Sequence, residues 1–464
     1  MFKFLLPLLV IAAIFYMVGL NKLPLSDYDE ADYATIIKEM VLNKEYLNLT
    51  NFNQPWFEKP PLYLWLASIS VKIFGLNEMA LRLPSVLSGI VTVALTFAII
   101  LETTGQPLTA FFGGLILILL PFFLAATRQV RLDVPVSAAM LSAVWFYIKG
   151  LKNPKFFLGI GVAAGIGFML KSIIGFLAFP LLIIWSFFYK DWHWLKNKYF
   201  WLGLILLLLI SAPWHIQQTI KFGSEFWNEY LGHHVFQRAT QQILSGEVSK
   251  SYFASTLWNH SYPWSILLFI AIPFAIFFWK KNALKPNAKA SLLSFLFILL
   301  LFISVKTGLI SYFTPMYPFV AIFLAIVYKH IEELIKNHYL KITYYVLMVA
   351  TIITGIFISG KEAFGRPAIY ALDISKDEQA VGLYLADHHN QEPIYVFEWQ
   401  HHRTLRYYSG KEVLPLELGS GSIDADPPFW LILPTQLLSD NSFLQTMPTP
   451  YSGEFITLVH FIKQ

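Results

Sequence analysis

The stretch "RLPSVLSGIVTVALTFAIILETTGQPLTAFFGGLILILLPFFLAAT" (residues 82–127) holds two apolar runs, 82–101 and 108–127, joined by a short polar linker. About 20 apolar residues wound as a helix reach some 30 Å, the thickness of a bilayer's hydrocarbon core. Two such runs back to back predict a pair of membrane-crossing helices. Working outward, similar runs recur near 4–20, 134–149, 156–170, 173–189, 200–216, 262–279, 291–305, 311–328 and 343–359. The expected fold is therefore mainly α, a polytopic transmembrane bundle of about 11 spans. The composition agrees: 14% of the 464 residues are charged, against about 25% in soluble domains, and mean hydropathy is +0.55. Residues 4–20 follow Lys3 and lack a small-residue cleavage site, which reads as a retained first span. The segment 61–74 is too short and interrupted to cross, and is expected to lie in the interface.

Lysines assign the sides. The loops "KGLKNPK" (149–155), "KDWHWLKNK" (190–198), "KKNALKPNAK" (280–289) and "YKHIEELIKNHYLK" (328–341) fall on one side if every run crosses, as cytoplasmic loops should. Residues 21–81, "RQVRLD" (128–133), Lys171, the loop 217–261, "KTGLISY" (306–312) and the tail after Gly360 then share the outer side. The tail alternates β-rich runs such as "PIYVFEW" with the helical pattern "SKDEQAVGLYLADHH". The expected division is a transmembrane domain, 1–360, whose first outer loop (21–81) holds interfacial helices, and a small soluble α/β domain, 361–464.

The ionisable residues gather on the outer side. In "SDYDEADY", Asp29, Glu30 and Asp32 open a helix, where carboxylates complement the helix dipole. Four acids within six residues exceed what capping needs, and a partly desolvated carboxylate can act as a general base. In "WFEKPP", Pro60 and Pro61 stiffen the chain and display Glu58 and Lys59 on a fixed corner. Arg128, Arg131 and Asp133 sit at a helix junction, and Asp133 two residues before Pro135 also reads as a cap. Lys171 stands between two apolar runs with almost no loop, a costly place for a charge and so a functional candidate. "LGHHVFQR" supplies His233, His234 and Arg238, and "KTGLISY" supplies Lys306 and Tyr312. The chain has no cysteine, no P-loop, no GxSxG, no HExxH and no dinucleotide fingerprint, and its charge of +5 reflects loop lysines. A nucleotide cofactor and a nucleic-acid partner are not expected. A carboxylate base with several cations at headgroup depth suggests group transfer from a phosphate-linked lipid.

In order, "DYDEADYATIIKEM", "FEKPPLYLWL", "LRLPSVLSG", "RLDVP", "GFMLKSIIGF", "APWH", "LGHHVFQR" and "KTGLISYFTPMYP" resemble the bacterial lipid A aminoarabinose transferases and the wider protein O-mannosyltransferase family, polytopic glycosyltransferases of GT-C type. The resemblance covers about residues 20–330. It implies a bundle with interfacial helices and a polyprenyl-phosphate-linked sugar donor. Asp29 matches the aspartate of the family's Asp-Glu pair, with Glu30 beside it, and Asp133 matches a second acidic position. Lys59, Arg238, Lys171, Tyr312 and Lys306 are implied on the donor-phosphate side, and Glu58 with His233 as ligands of a divalent metal ion. One position departs: the family commonly carries arginine three residues after the first aspartate, where this chain has Asp32.

The reading is an inverting glycosyltransferase of the bacterial cytoplasmic membrane. It moves a sugar from undecaprenyl phosphate to a hydroxyl or phosphate on a lipid, glycan or protein acceptor at the extracytoplasmic face. The alternative is a transporter or flippase of a lipid-linked sugar, which would show inverted repeats and polar residues on both faces. An O-antigen ligase or polymerase is a further rival, set aside by the Glu-Lys-Pro-Pro corner.

Overall fold

The structure, a computed structural model, describes residues 1–26, 29–241, 250–306, 309–365, 374–388, 392–397, 402–416, 428–440 and 442–462, with the side chains of 250–253 left aside. The chain divides into two compact units: Met1–Gly19, Trp56–Ala67 and Arg82–Ile369 in one, Leu20–Pro55, Ser68–Leu81 and Tyr370–Gln464 in the other.

The first unit is helical. All eleven apolar runs lie in helix, but among the described residues six helices are long and apolar enough to cross a membrane, or up to eight if two bent pairs count as one span each. The bent pairs, Pro107–Ile118 with Pro121–Thr127 and Ala254–His260 with Trp264–Lys280, turn by 69° and 111°. Proline explains the first break, because Pro121 has no N–H to continue the ladder. Phe2–Met17, at 16 residues, is shorter than the others.

The stretch Pro154–Tyr189 is a hairpin. A Cβ on Gly175 would lie 2.1 Å from the carbonyl carbon of Gly167, whereas eight residues of straight helix separate two atoms by about 12 Å. The reversal falls at Lys171 and Ser172, and Ser172 takes a positive φ of 51°. Both ends of the hairpin return to the end of the helix Asp133–Gly150: Phe157 packs on Gly150, and the Tyr147 hydroxyl donates to the Asp191 carbonyl at 3.3 Å. The outgoing arm crosses the helix Lys198–Phe222 so closely that a Cβ on Gly161 would sit 1.9 Å from the Gly203 oxygen. Small residues at such crossings let backbones pack where lipid offers no hydrophobic drive.

The Lys-rich loops meet at one end of this unit. Glu102 accepts from Lys149 at 2.9 Å and Lys152 at 2.8 Å, Glu333 accepts from Gln106 at 3.4 Å and lies 3.9 Å from Lys285, and Glu332 lies 3.7 Å from Lys341. Asp133 begins a helix of 18 residues that ends there, which places Asp133 and Lys171 about 27 Å away at the other end.

The second unit is α/β. Its five-stranded sheet runs in the order Leu414–Leu416, Ile394–Phe397, Phe429–Pro434, Ile456–Phe461, Tyr451–Ser452, with the first two pairings parallel and the rest antiparallel. Along 429–433, Phe429, Leu431 and Leu433 enter one core, while Trp430 and Ile432 enter the other, so both faces are covered. The helix Asp29–Asn43 packs on the helix Arg403–Ser409. Asp32 pairs with Arg403 and accepts from Asn51 at 3.2 Å, and Lys38 donates to the Tyr407 carbonyl at 3.0 Å. These contacts group segments of the loop 21–81 with the tail, rather than with the bundle as the division at residue 360 expected. The physical reason is that polar side chains 371 residues apart, as Asp32 and Arg403 are, find partners no composition window can see.

Candidate active site

The helical unit encloses a cavity of about 260 Å³ at the end opposite the Lys-rich loops. Four local structures deliver its polar lining. The Glu-Lys-Pro-Pro corner precedes the helix Leu62–Phe74, whose first turn closes with Trp65 N–H donating to the Pro61 carbonyl at 2.8 Å. Pro60 and Pro61 cannot enter a helix interior, so Glu58 and Lys59 stay on a bend ahead of the helix. The second is the π-helical turn Asn228–Gln237, with His234 and then Arg238 four residues later on the same face. The third is the hairpin reversal at Lys171–Ser172, and the fourth the 3₁₀ turn Ile310–Met316 that carries Tyr312.

Glu58 is the hub. Its Oε1 accepts from Lys59 Nζ at 2.8 Å and from Arg238 NH1 at 2.7 Å, and His234 Nδ1 lies 3.9 Å away. The Glu58 and Lys59 side chains are 16% and 11% exposed. Burial works to raise the Glu58 carboxyl, but Lys59, then Arg238 and His234, hold it well below the usual carboxylate range. Burial lowers the Lys59 ammonium; Glu58 opposes this, while Arg238 and Lys171 add to it. Burial also pushes His234 down to about 4, so the imidazole is neutral at physiological pH. Deeper in, Lys171 donates to Asp133, and its ammonium stands 4.9 Å from the centre of the Tyr312 ring. Apolar side chains, among them Ile173, Ile174, Leu177, Leu301 and Phe302, make the remaining wall.

Six of the expected site residues thus line one cavity: Glu58, Lys59, Asp133, Lys171, Arg238 and Tyr312. Others stand elsewhere. His233 is outside the lining and lies 2.8 Å from Gln237 Oε1; the histidine beside Glu58 is His234. The spacing of four between His234 and Arg238 was the available signal. Lys306 is exposed, and its backbone N–H donates to the Ala239 carbonyl at 3.3 Å. Asp29 and Glu30 belong to the other unit. There Glu30 is buried and accepts from the Ser26 N–H at 2.8 Å and the Ser26 hydroxyl at 3.1 Å, closing the start of its own helix. Asp29 is half-buried in the first turn of that helix. Arg128, one of the outer cations, caps helix ends: it donates to the carbonyls of Phe15 at 2.9 Å, Tyr16 at 3.3 Å and Ala363 at 2.9 Å. Ser172, a buried residue, lines the cavity without having been singled out.

The expected pair of metal ligands is not together: His233 lies against Gln237, the histidine 3.9 Å from Glu58 is His234, and among the described residues no group of three His, Asp or Glu side chains is placed to hold a metal ion. What the arrangement does fit is an anion: two cationic donors at one point, set against an apolar wall.

A family described as dolichyl-phosphate-mannose-protein mannosyltransferase matches residues 58–216. Undecaprenyl phosphate-alpha-4-amino-4-deoxy-L-arabinose arabinosyl transferase 2 of Pseudomonas fluorescens is 29% identical over 273 residues, 57% of this chain and 46% of the relative. The chain therefore spans about half the length of that relative. ArnT from Cupriavidus metallidurans bound to undecaprenyl phosphate superposes with a TM-score of 0.74 at 17% identity, covering 99% of this chain and 98% of that one. The chain has the GT-C glycosyltransferase fold. The archaeal oligosaccharyltransferase AglB from Archaeoglobus fulgidus shares this fold more distantly, at a TM-score of 0.61 and 10% identity over 94% of this chain and 69% of that one. In this GT-C chain the family match begins at Glu58, the hub of the cavity.

Proposed function

We propose that the protein is a membrane glycosyltransferase that takes a sugar from undecaprenyl phosphate and passes it to a hydroxyl or phosphate of a lipid, glycan or protein. The observation that carries this reading is the convergence of Lys59 and Arg238 on one point at the edge of an apolar-walled cavity. A lipid-linked phosphate needs both features, cationic donors for its oxygens and an apolar surface for the first carbons of its tail. The resemblance and the transferases of similar sequence and fold point to the same donor class.

In the reaction, the acceptor oxygen attacks the anomeric carbon from the face opposite the phosphate. The new carbon–oxygen bond forms as the bond to the phosphate oxygen breaks, and the electron pair leaves with that oxygen. Lys59 and Arg238 meet the growing negative charge in a site screened from water, where such donors contribute most. The Lys171–Asp133 pair with Tyr312 holds the deeper wall in place. Asp29 is assigned the acceptor proton, on its match to the family's Asp-Glu pair. Attack from the opposite face inverts the anomeric centre. The Lys-rich end faces the cytoplasm by the positive-inside rule, so the cavity opens outward. The lysine rule, applied to the loop before His338–Phe364, supports an extracytoplasmic C-terminal unit.

The test is to incubate the purified full chain with defined undecaprenyl-phosphate sugars and an acceptor, and to measure released undecaprenyl phosphate. Release is expected from the wild type. Lys59→Ala should lower turnover about 10²-fold or more, the scale of losing one transition-state donor. Asp29→Asn should lower it about 10²-fold, as for a lost general base. Normal turnover in both variants would overturn the assignment.

A further inference from the structure

Three unusual features of the helical unit meet at one hydroxyl, that of Tyr230. The first is the turn Asn228–Gln237, ten residues of π-helix, a form that occurs mostly as single turns at functional sites. The second is Ser172, whose φ of 51° with ψ of −139° is a backbone conformation that residues with a side chain rarely adopt. Such strain persists only where the surroundings hold it in place. The third is His215, a polar side chain buried in the helix Lys198–Phe222 among the rings of Phe168, Trp214 and Phe226. Tyr230 is itself fully buried, and its ring stacks on that of Phe226 at 5.0 Å. His215 Nδ1 lies 2.7 Å from the Ser211 carbonyl oxygen, which can only accept, so Nδ1 carries a proton. His215 Nε2 lies 3.0 Å from the Tyr230 hydroxyl, and the Ser172 side chain meets the same hydroxyl.

The partners belong to different arms of the cavity. Ser172 lines it at the hairpin reversal, next to Lys171. Tyr230 opens a series with a spacing of four, Tyr230, His234 and Arg238, whose last two members line the cavity from the π-helical turn. His215 belongs to the long helix whose crossing with the hairpin is fixed at Gly161 and Gly203, so it is the post to which both arms are tied. We propose that Tyr230 is a positioning residue for the transfer reaction: its hydroxyl, shared by His215 and Ser172, pins the turn that carries Arg238 to the reversal that carries Lys171. Tyr230 does not line the cavity, so it acts through Arg238. Without the hydroxyl the two arms relax separately, and Arg238 leaves the point where charge gathers on the departing phosphate. A misplacement of about 1 Å can cost about 10²-fold in rate. The effect on transfer rests on the proposed donor, whereas the pinning of the two arms does not.

The experiment is a double-mutant cycle on the purified full chain, using an undecaprenyl-phosphate sugar that the wild type turns over. Tyr230→Phe keeps the ring and its stacking and removes only the hydroxyl. In the wild-type background it should lower kcat/KM about tenfold or more. In an Arg238→Ala background the same change should cost less than about twofold, because the group through which it acts is already gone. A merely structural role would give the same factor in both backgrounds, and that result, or normal kcat/KM in Tyr230→Phe, overturns the proposal. If Arg238→Ala turns over too slowly to measure, the cycle is read in affinity for undecaprenyl phosphate, with the same expected pattern. If Tyr230→Phe does not fold, Ser172→Ala removes the neighbouring hydroxyl and takes its place in the cycle. Amide hydrogen exchange supplies an arm independent of the donor: Tyr230→Phe should speed exchange in residues 228–238 about tenfold or more. Should the wild type neither bind undecaprenyl phosphate nor transfer sugar from it, the donor reading fails. Faster exchange in 228–238 then sustains the pinning, and unchanged exchange overturns it.

Discussion

Lys59 is a cation in a place that resists cations. Its ammonium is lowered by burial, and only Glu58 pulls it back up. Phosphate binding needs the protonated form, so activity should fall as pH rises, and should do so below the 10.5 of a free lysine. Lys59→Arg should abolish this alkaline limb, because guanidinium does not deprotonate in that range; a pH–kcat/KM profile reads the difference. His234 works in the other direction. Its folded value of about 4 lies below its ordinary 6.5, so the unfolded chain binds the proton more readily. Stability from this group is therefore present above 6.5 and is lost as pH falls from there toward 4. His234→Gln should flatten that loss, seen as a smaller drop in thermal midpoint between neutral and mildly acidic buffer.

Helix ends and crossings hold the bundle, and they can be broken singly. Arg128 satisfies three backbone carbonyls at the C-terminal ends of Phe2–Met17 and His338–Phe364, helices distant in sequence. Arg128→Ala would leave those acceptors buried without donors and should cost about 3 kcal/mol, read as a lower unfolding midpoint in detergent. Gly161 passes the backbone at Gly203 with no room for a methyl group. Gly161→Leu should force the arm Leu158–Lys171 away from Lys198–Phe222 and cost about 2 kcal/mol or more by overpacking. Because the hairpin apex carries Lys171, this variant should also lower activity without touching the cavity.

At the scale of the molecule, the lysine distribution predicts sidedness. The chain has no cysteine, so single-cysteine variants can be labelled cleanly. Asn153→Cys, in a Lys-rich loop, should react with an impermeant reagent only from the cytoplasmic side, and Glu45→Cys only from the opposite side. The exchanged pattern, Asn153→Cys labelled only from outside and Glu45→Cys only from the cytoplasm, would reverse the membrane assignment. Within the α/β unit, Asp32→Arg should repel Arg403, and the double variant Asp32→Arg/Arg403→Asp should recover protease resistance.

What the primary structure determined by itself is what rests on local physics. Runs of apolar residues long enough for a bilayer specify helices, since each apolar helix satisfies its own backbone, and the lysine loops between them predict their sides. The same reading collected Glu58, Lys59, Lys171, Asp133 and Arg238 within a wider set of outer charges that also held Asp29, Glu30, Arg128, Arg131 and Lys306, and the family resemblance added Tyr312. Tertiary structure alone decided which charge meets which. It put His234 rather than His233 beside Glu58, turned Arg128 into a cap, folded Pro154–Tyr189 into a hairpin, and joined Asp32 to Arg403. Those outcomes depend on distances between residues far apart in the chain, and a sequence encodes such distances only through the packing of the whole.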